Sequence, residues 1–210
     1  MQLKLTHHRY HEASQGVALA APEPVGNEFE SPAMRRVLER LAKHPGQHVL
    51  DVGVLCGGTI VSLAEAGARV YVYDLITPLL AQLDADGKPD MDRLLHPIDL
   101  PPGSVDVVCL WDLPDMLEPA AAARLIQRVE RWLAPGGEVV AQFHISRGDR
   151  VHRFRLGGGG RVQMELVTER PGVIRATHNN QIVELLRGMT IRHSSLLRTQ
   201  MREMLARKGG

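Results

Sequence analysis

The sequence predicts an α/β fold in which a mostly parallel sheet carries helices on both faces. Three observations point there. Four short runs rich in apolar and β-branched residues, "HVLDVG", "ARVYVYDL", "SVDVVCLWDL" and "EVVAQFHI", are spread over residues 48–145. Stretches of helical periodicity separate them, and strands alternating with helices pair in parallel. The first run ends in a glycine turn, Gly53 to Gly57 and Gly58, that leads straight into a helix.

Each element has a local warrant. The first ~30 residues lack periodicity and contain Pro22, Pro24 and Gly26, so residues 1–30 are expected to form an arm ahead of a domain spanning 31–210. His7, His8 and His11 in that arm have no acid or cysteine at ligand spacing and read as exposed polar residues. In "SPAMRRVLERLAKHPG", Ser31 suits a helix cap, Pro32 the first helical position, and Met34, Val37, Leu38 and Leu41 make an apolar stripe. A second helix runs from Thr59 to Ala66 and a weaker one from Thr77 to Leu83. "EPAAAARLIQRVERWLAPGG" is a long helix stopped at Pro135, Gly136 and Gly137. Beyond it, "RVHRFRLGGGGRVQMELVT" alternates polar and apolar residues on both sides of Gly157–Gly160, which predicts a basic hairpin insertion at about 147–170 with a flexible tip. A short helix capped by Asn179 or Asn180 follows, and "TIRHSSLLRTQMREMLARK" reads as an antiparallel strand pair.

Composition narrows the class. With 210 residues, 44% hydrophobic and 23% charged, the chain has material for one real core. No apolar stretch approaches the ~20 residues of a membrane helix, and no apolar run follows a basic start, so a leader is not expected. Cys56 and Cys109 make neither a disulfide framework nor a metal spacing, and a cytoplasmic protein without a bound metal is expected. The net charge of +1 hides an asymmetry: residues 1–146 hold 12 basic and 19 acidic groups, residues 147–210 hold 13 and 5. A basic C-terminal third suits either an anionic partner or a solvated arginine-rich face. No nucleic-acid module accompanies Arg147, Arg150, Arg153 and Arg155.

The chemistry-bearing residues gather at the ends of the expected strands. Asp51 closes the first, and Gly53 allows a tight turn with room for a ligand beside it. Asp74 closes the second, 23 residues beyond Asp51. An ionised carboxylate only accepts hydrogen bonds, so it can hold both hydroxyls of a ribose.

Here the sequence resembles a family. Asp-x-Gly-x-x-x-Gly, followed by "LAEAGARVYVYD" with its terminal acid, is similar to the first two motifs of class I S-adenosylmethionine-dependent methyltransferases. "LPPGSVDVVCLWDLPDMLEP", "LIQRVERWLAPGGEVVAQF" and "MREMLARK" resemble later segments of that family, so the likeness spans roughly Ser31 to Lys208. More narrowly, "LWDLPDMLEP", "RFRL" and "SSLLRTQMRE" resemble a little-characterised bacterial branch with an eroded glycine motif. The resemblance implies a Rossmann-like three-layer α/β/α sandwich with a seven-stranded, mostly parallel sheet and an antiparallel last strand. It implies S-adenosylmethionine as cofactor, with Gly53, Val54 and Gly57 bordering the methionine part and Asp51 reaching its amino group. Asp74 would hold the ribose, Leu75 the adenine face and Asp99, after the third strand, the adenine amino group; His96 is the alternative there. Trp111 and Asp112 would face the methionine end and a small-molecule substrate.

Two nicotinamide readings fit less well. Leu55 breaks Gly-x-Gly-x-x-Gly, and the short-chain dehydrogenase turn finds Thr59 at its last glycine and no tyrosine with a lysine four residues on. Methyl transfer asks the protein for alignment and at times removal of one proton. His144 is the candidate base, or else a histidine packed at a strand end; Trp111 and Trp132 equally suit the core. Leu55 either fills space a ligand needs or points into the sheet–helix packing. Two functions stand: a methyltransferase of unidentified substrate, or a catalytically inactive protein of that fold acting as a binding or assembly partner through its basic hairpin.

Overall fold

The computed structural model describes residues 27–209, so the histidines of the arm lie outside the described residues. In chain order the first elements are β1 (Glu28–Glu30), α1 (Pro32–Lys43), β2 (His48–Asp51), α2 (Gly57–Glu65), β3 (Arg69–Val72), α3 (Ile76–Asp86) and α4 (Met91–Leu95). There follow β4 (Val105–Trp111), α5 (Pro119–Trp132), β5 (Leu133–His144), β6 (Gly148–Leu156), β7 (Arg161–Ile174), α6 (Asn179–Leu185), β8 (Met189–Leu196) and β9 (Met201–Lys208).

The main sheet has the order β3-β2-β4-β5-β9-β8. β3, β2, β4 and β5 are parallel, and β9 runs antiparallel to both of its neighbours, as expected of the last strand. Among the described residues the sheet has six strands rather than the seven expected. The strand absent between β3 and β4 is the one the resemblance placed before Asp99. Residues 97–102 include Pro97, Pro101 and Pro102, which lack the N–H a ladder requires.

Beyond the main sheet, β6 and β7 span residues 148–174. β6 and β7 pair antiparallel, and β1 adds a third strand through Glu28 opposite Gln163. The expected arm therefore ends in a strand that completes a second sheet. At the glycine tip Ser31 N donates to Gly160 O at 2.8 Å, and a Cβ on Gly160 would lie 2.8 Å from Ser31 O. The cap of α6 also differs, since His178 precedes the helix and its N–H donates to Gln181 Oε1 at 2.9 Å.

Strand parity divides the core. Leu50, Val108, Leu110, Val139 and Phe143 face α3, α4 and α5. Val49, Val107, Cys109 and Val140 face α1 with its buried Met34, Val37 and Leu41. On that side the buried Glu203 accepts from Ser31 Oγ, from Ala33 N at 2.8 Å and from Gln142 Nε2 at 3.3 Å, which fixes the start of α1 to β9 and β5. No helix among the described residues is long and apolar enough to cross a membrane.

Candidate active site

The carboxyl ends of β2, β4 and β5 meet at one edge of the sheet, where ligands of such sheets bind. Asp51 pairs in register with Cys109, so Trp111, two residues further along β4, shares its face. Trp111 takes φ +52, a left-handed conformation uncommon for a large side chain, and its indole lies over the β2 turn. Its Nε1 donates to Asp51 Oδ1 at 2.7 Å, and Gly53 N donates to the same oxygen at 3.1 Å. Burial pushes the Asp51 carboxyl up to about 6, against the lowering by those two donors.

Gly53 is glycine because the indole needs the space. An added Cβ would lie 2.4 Å from Trp111 Cδ1. The indole's outer face stacks on Phe154 of β6, with ring centroids 5.1 Å apart and planes 5° apart. β6 is itself fastened to α2. Thr59 Oγ1 donates to Phe154 O at 2.7 Å and accepts from Leu156 N at 2.9 Å, and Ser62 Oγ donates to Leu156 O at 2.7 Å. Arg155 covers the first turn of α2, where a Cβ on Gly58 would meet its Nη1 at 2.9 Å. Val54 is half-buried and Gly57 exposed. Leu55 is 56% exposed, so it neither fills the hollow nor enters the packing. The side chain that lies against Gly53 is Trp111.

Asp74 sits at the end of β3 and holds the start of α3. Its Oδ1 accepts from Ile76 N and Thr77 N at 3.0 and 2.9 Å, and its Oδ2 from Thr77 Oγ1 at 2.7 Å. A carboxylate has about four acceptor positions, so capacity for a further donor remains. Leu75 is buried beneath this turn, and Tyr73, Asp74, Leu75 and Leu94 line a hollow of about 230 Å³ between α3 and α4. Asp99 is exposed on the segment that replaces the expected strand.

A second cluster adjoins Trp111. Asp112, fully buried, holds His144 Nε2 3.3 Å from its Oδ2, while its Oδ1 has no hydrogen-bond partner. Burial would lower the His144 pKa, but Asp112 and Asp115 raise it overall. Asp115, also buried, accepts from His144 N and from Thr177 Oγ1, each at 2.5 Å. Burial drives its carboxyl up to about 7 despite those donors. The structure thus brings His144 and Asp112 together. Asp115 and Thr177 escaped the sequence reading; Asp115, one turn after Asp112 in "WDLPDM", was the available signal.

The hairpin arginines are largely spent on acids. Arg150 pairs with Glu169 at 3.1 Å, and Arg153 and Arg155 both pair with Glu165 at 2.5 Å. Burial raises Glu165, but the two guanidinium groups hold it below its ordinary value.

Residues 50–141 match the family model described as "Methyltransferase domain". The match covers a little less than half of the chain. Solved structures extend the fold over most of the chain. A methyltransferase from Burkholderia thailandensis, solved with 1,6-didemethyltoxoflavin and S-adenosylhomocysteine, is 21% identical with a TM-score of 0.51, over 85% of this chain and 79% of its own. A methyltransferase from Mesorhizobium loti is 19% identical with a TM-score of 0.51, over 85% and 99%. A protein from Pyrococcus horikoshii is 15% identical with a TM-score of 0.53, over 84% and 88%. No curated protein matches the sequence. The shared architecture places the chain in the class I methyltransferase fold.

Asp51, Gly53 and Asp74 are the residues that would hold S-adenosylmethionine in the arrangement the resemblance implies. At the methionine end they do not fit it in this conformation. The indole lies on Gly53 and its N–H takes the Asp51 oxygen.

Proposed function

We propose that the chain is an S-adenosylmethionine-dependent methyltransferase that acts on a small-molecule substrate in the cytoplasm. Support comes from the His144–Asp112 pair, 3.3 Å apart, directly beyond the turn that carries Asp51 and Gly53. In this reading Asp51, Gly53, Val54 and Gly57 border the methionine part, Asp74 the ribose, and Leu75 the adenine. Asp99 has a weaker claim, because no strand positions it. Two buried free cysteines suit a reducing compartment.

His144 is the proton acceptor of this reading. With Nε2–H directed at Asp112, its Nδ1 lone pair is left to accept from a substrate hydroxyl or amine. Asp115 and Thr177 N, which donates to His144 O at 3.0 Å, hold its backbone. The arginine pairing leaves less unpaired positive charge on the hairpin than the sequence suggests, and nothing favours the partner reading over the enzyme.

Calorimetric titration of the full chain with S-adenosylmethionine and S-adenosylhomocysteine tests the proposal. Binding is expected, and Asp74→Ala should weaken it by about 1.5–3 kcal/mol, the loss of hydrogen bonds to a charged group. No heat and no thermal shift at millimolar ligand, in the unaltered protein and in Trp111→Phe alike, would overturn it.

A further inference from the structure

The contact that closes the cofactor turn is built in several layers, and each layer involves a different part of the chain. The left-handed backbone of Trp111 turns its side chain back from the end of β4. The indole then acts as an internal ligand: an aromatic plane on Gly53 and an N–H on Asp51. Phe154 covers its other face, so the indole cannot leave Gly53 while β6 stays down. Thr59 and Ser62 hold β6 down by three hydrogen bonds from α2, the helix that begins at the cofactor turn.

We infer that Trp111 and the β6–β7 hairpin form an intramolecular plug on the methionine half of the cofactor site, and that cofactor enters only when β6 lifts from α2 and the indole leaves Gly53. The inference rests on the methyltransferase reading given above. It describes two states, closed and open, with the cofactor binding only the open one. Apparent affinity is then the intrinsic affinity reduced by the open fraction. Whatever weakens the latch should therefore tighten binding, the opposite of what loss of a binding residue does. Strained backbone at Trp111 suits a side chain held in place by its surroundings and released when they withdraw.

Thr59→Val keeps the shape of the latch residue and removes both of its hydrogen bonds. Titrated with S-adenosylhomocysteine, this variant should bind at least about tenfold more tightly than the unaltered protein. Trp111→Phe, with a smaller ring and no N–H, should also bind more tightly. Ser62→Ala serves where Thr59→Val fails to fold. The chain has two tryptophans, so Trp132→Phe leaves Trp111 as the sole indole reporter. Its emission should move to the red as the ligand saturates. Affinities unchanged across these variants, with Trp111 emission unmoved at saturation, would overturn the plug and leave the methyltransferase reading standing. Failure of every variant and of the unaltered protein to bind at millimolar ligand would overturn both.

Discussion

Asp115→Asn should flatten the dependence of stability on pH. The folded protein raises the Asp115 carboxyl from 3.8 to about 7, so between those values the native state holds a proton that the unfolded chain has released. Stability must therefore fall as pH rises through this window. At about 1.4 kcal/mol per unit, the full difference amounts to about 4 kcal/mol. His144 acts in the same direction: its raised pKa contributes stability below its ordinary value that is lost as pH rises through the folded one. Asparagine cannot ionise, yet its carbonyl can still accept from His144 N and its amide can donate to Thr177 Oγ1. Urea unfolding followed by circular dichroism, from about pH 4 to about pH 8, would compare the two proteins. The unaltered protein should lose about 2–4 kcal/mol more than Asp115→Asn over that span. Parallel stability curves would refute the assignment of a buried proton to Asp115.

Gly53→Ala forces a methyl to within 2.4 Å of Trp111 Cδ1, so it should destabilise by about 1–3 kcal/mol and alter Trp111 emission in the Trp132→Phe background; an unchanged spectrum would count against the indole lying on Gly53. Glu203→Ala leaves Ser31 Oγ, Ala33 N and Gln142 Nε2 without their shared acceptor and should cost about 2–4 kcal/mol in urea unfolding, with Glu203→Gln recovering part of it. Asp74→Ala should cost about 0.5–2 kcal/mol without any cofactor present, because it removes the cap of α3; an unchanged denaturation midpoint would show that the cap contributes nothing.

Much of the fold was legible because its signals are local. β2, β4 and β5 are apolar on both faces, as strands of a sheet covered by helices must be, and Ser31 and Pro32 mark the start of α1 within two residues. β1 was not legible. Its three residues become a strand only because β7 presents an edge to them, a cause 130 residues away that leaves no local pattern. The missing strand shows the opposite error. Resemblance supplied a strand near Asp99 that the prolines of residues 97–102 exclude, and there the local chemistry outranked the family pattern.

The site divides along the same line. Asp51, Asp74, Asp112 and His144 lie at or just past the ends of β2, β3, β4 and β5, and strand ends can be placed from the sequence. What holds the site shut depends on contacts between distant parts of the chain. Leu55 drew attention because it departs from a short motif, but a loop residue with 56% exposure is free to point away. Trp111 lies in a segment that resembles the family, but its position on Gly53 depends on a backbone angle of +52° and on Phe154, 43 residues later. Parity puts Asp51 and Trp111 on one face; only the docking of β6 on α2 turns that shared face into a contact. A motif can therefore report which groups a site contains while remaining silent on whether the site is open, since opening is set by the balance between the hairpin's hold on α2 and the ligand's hold on the turn.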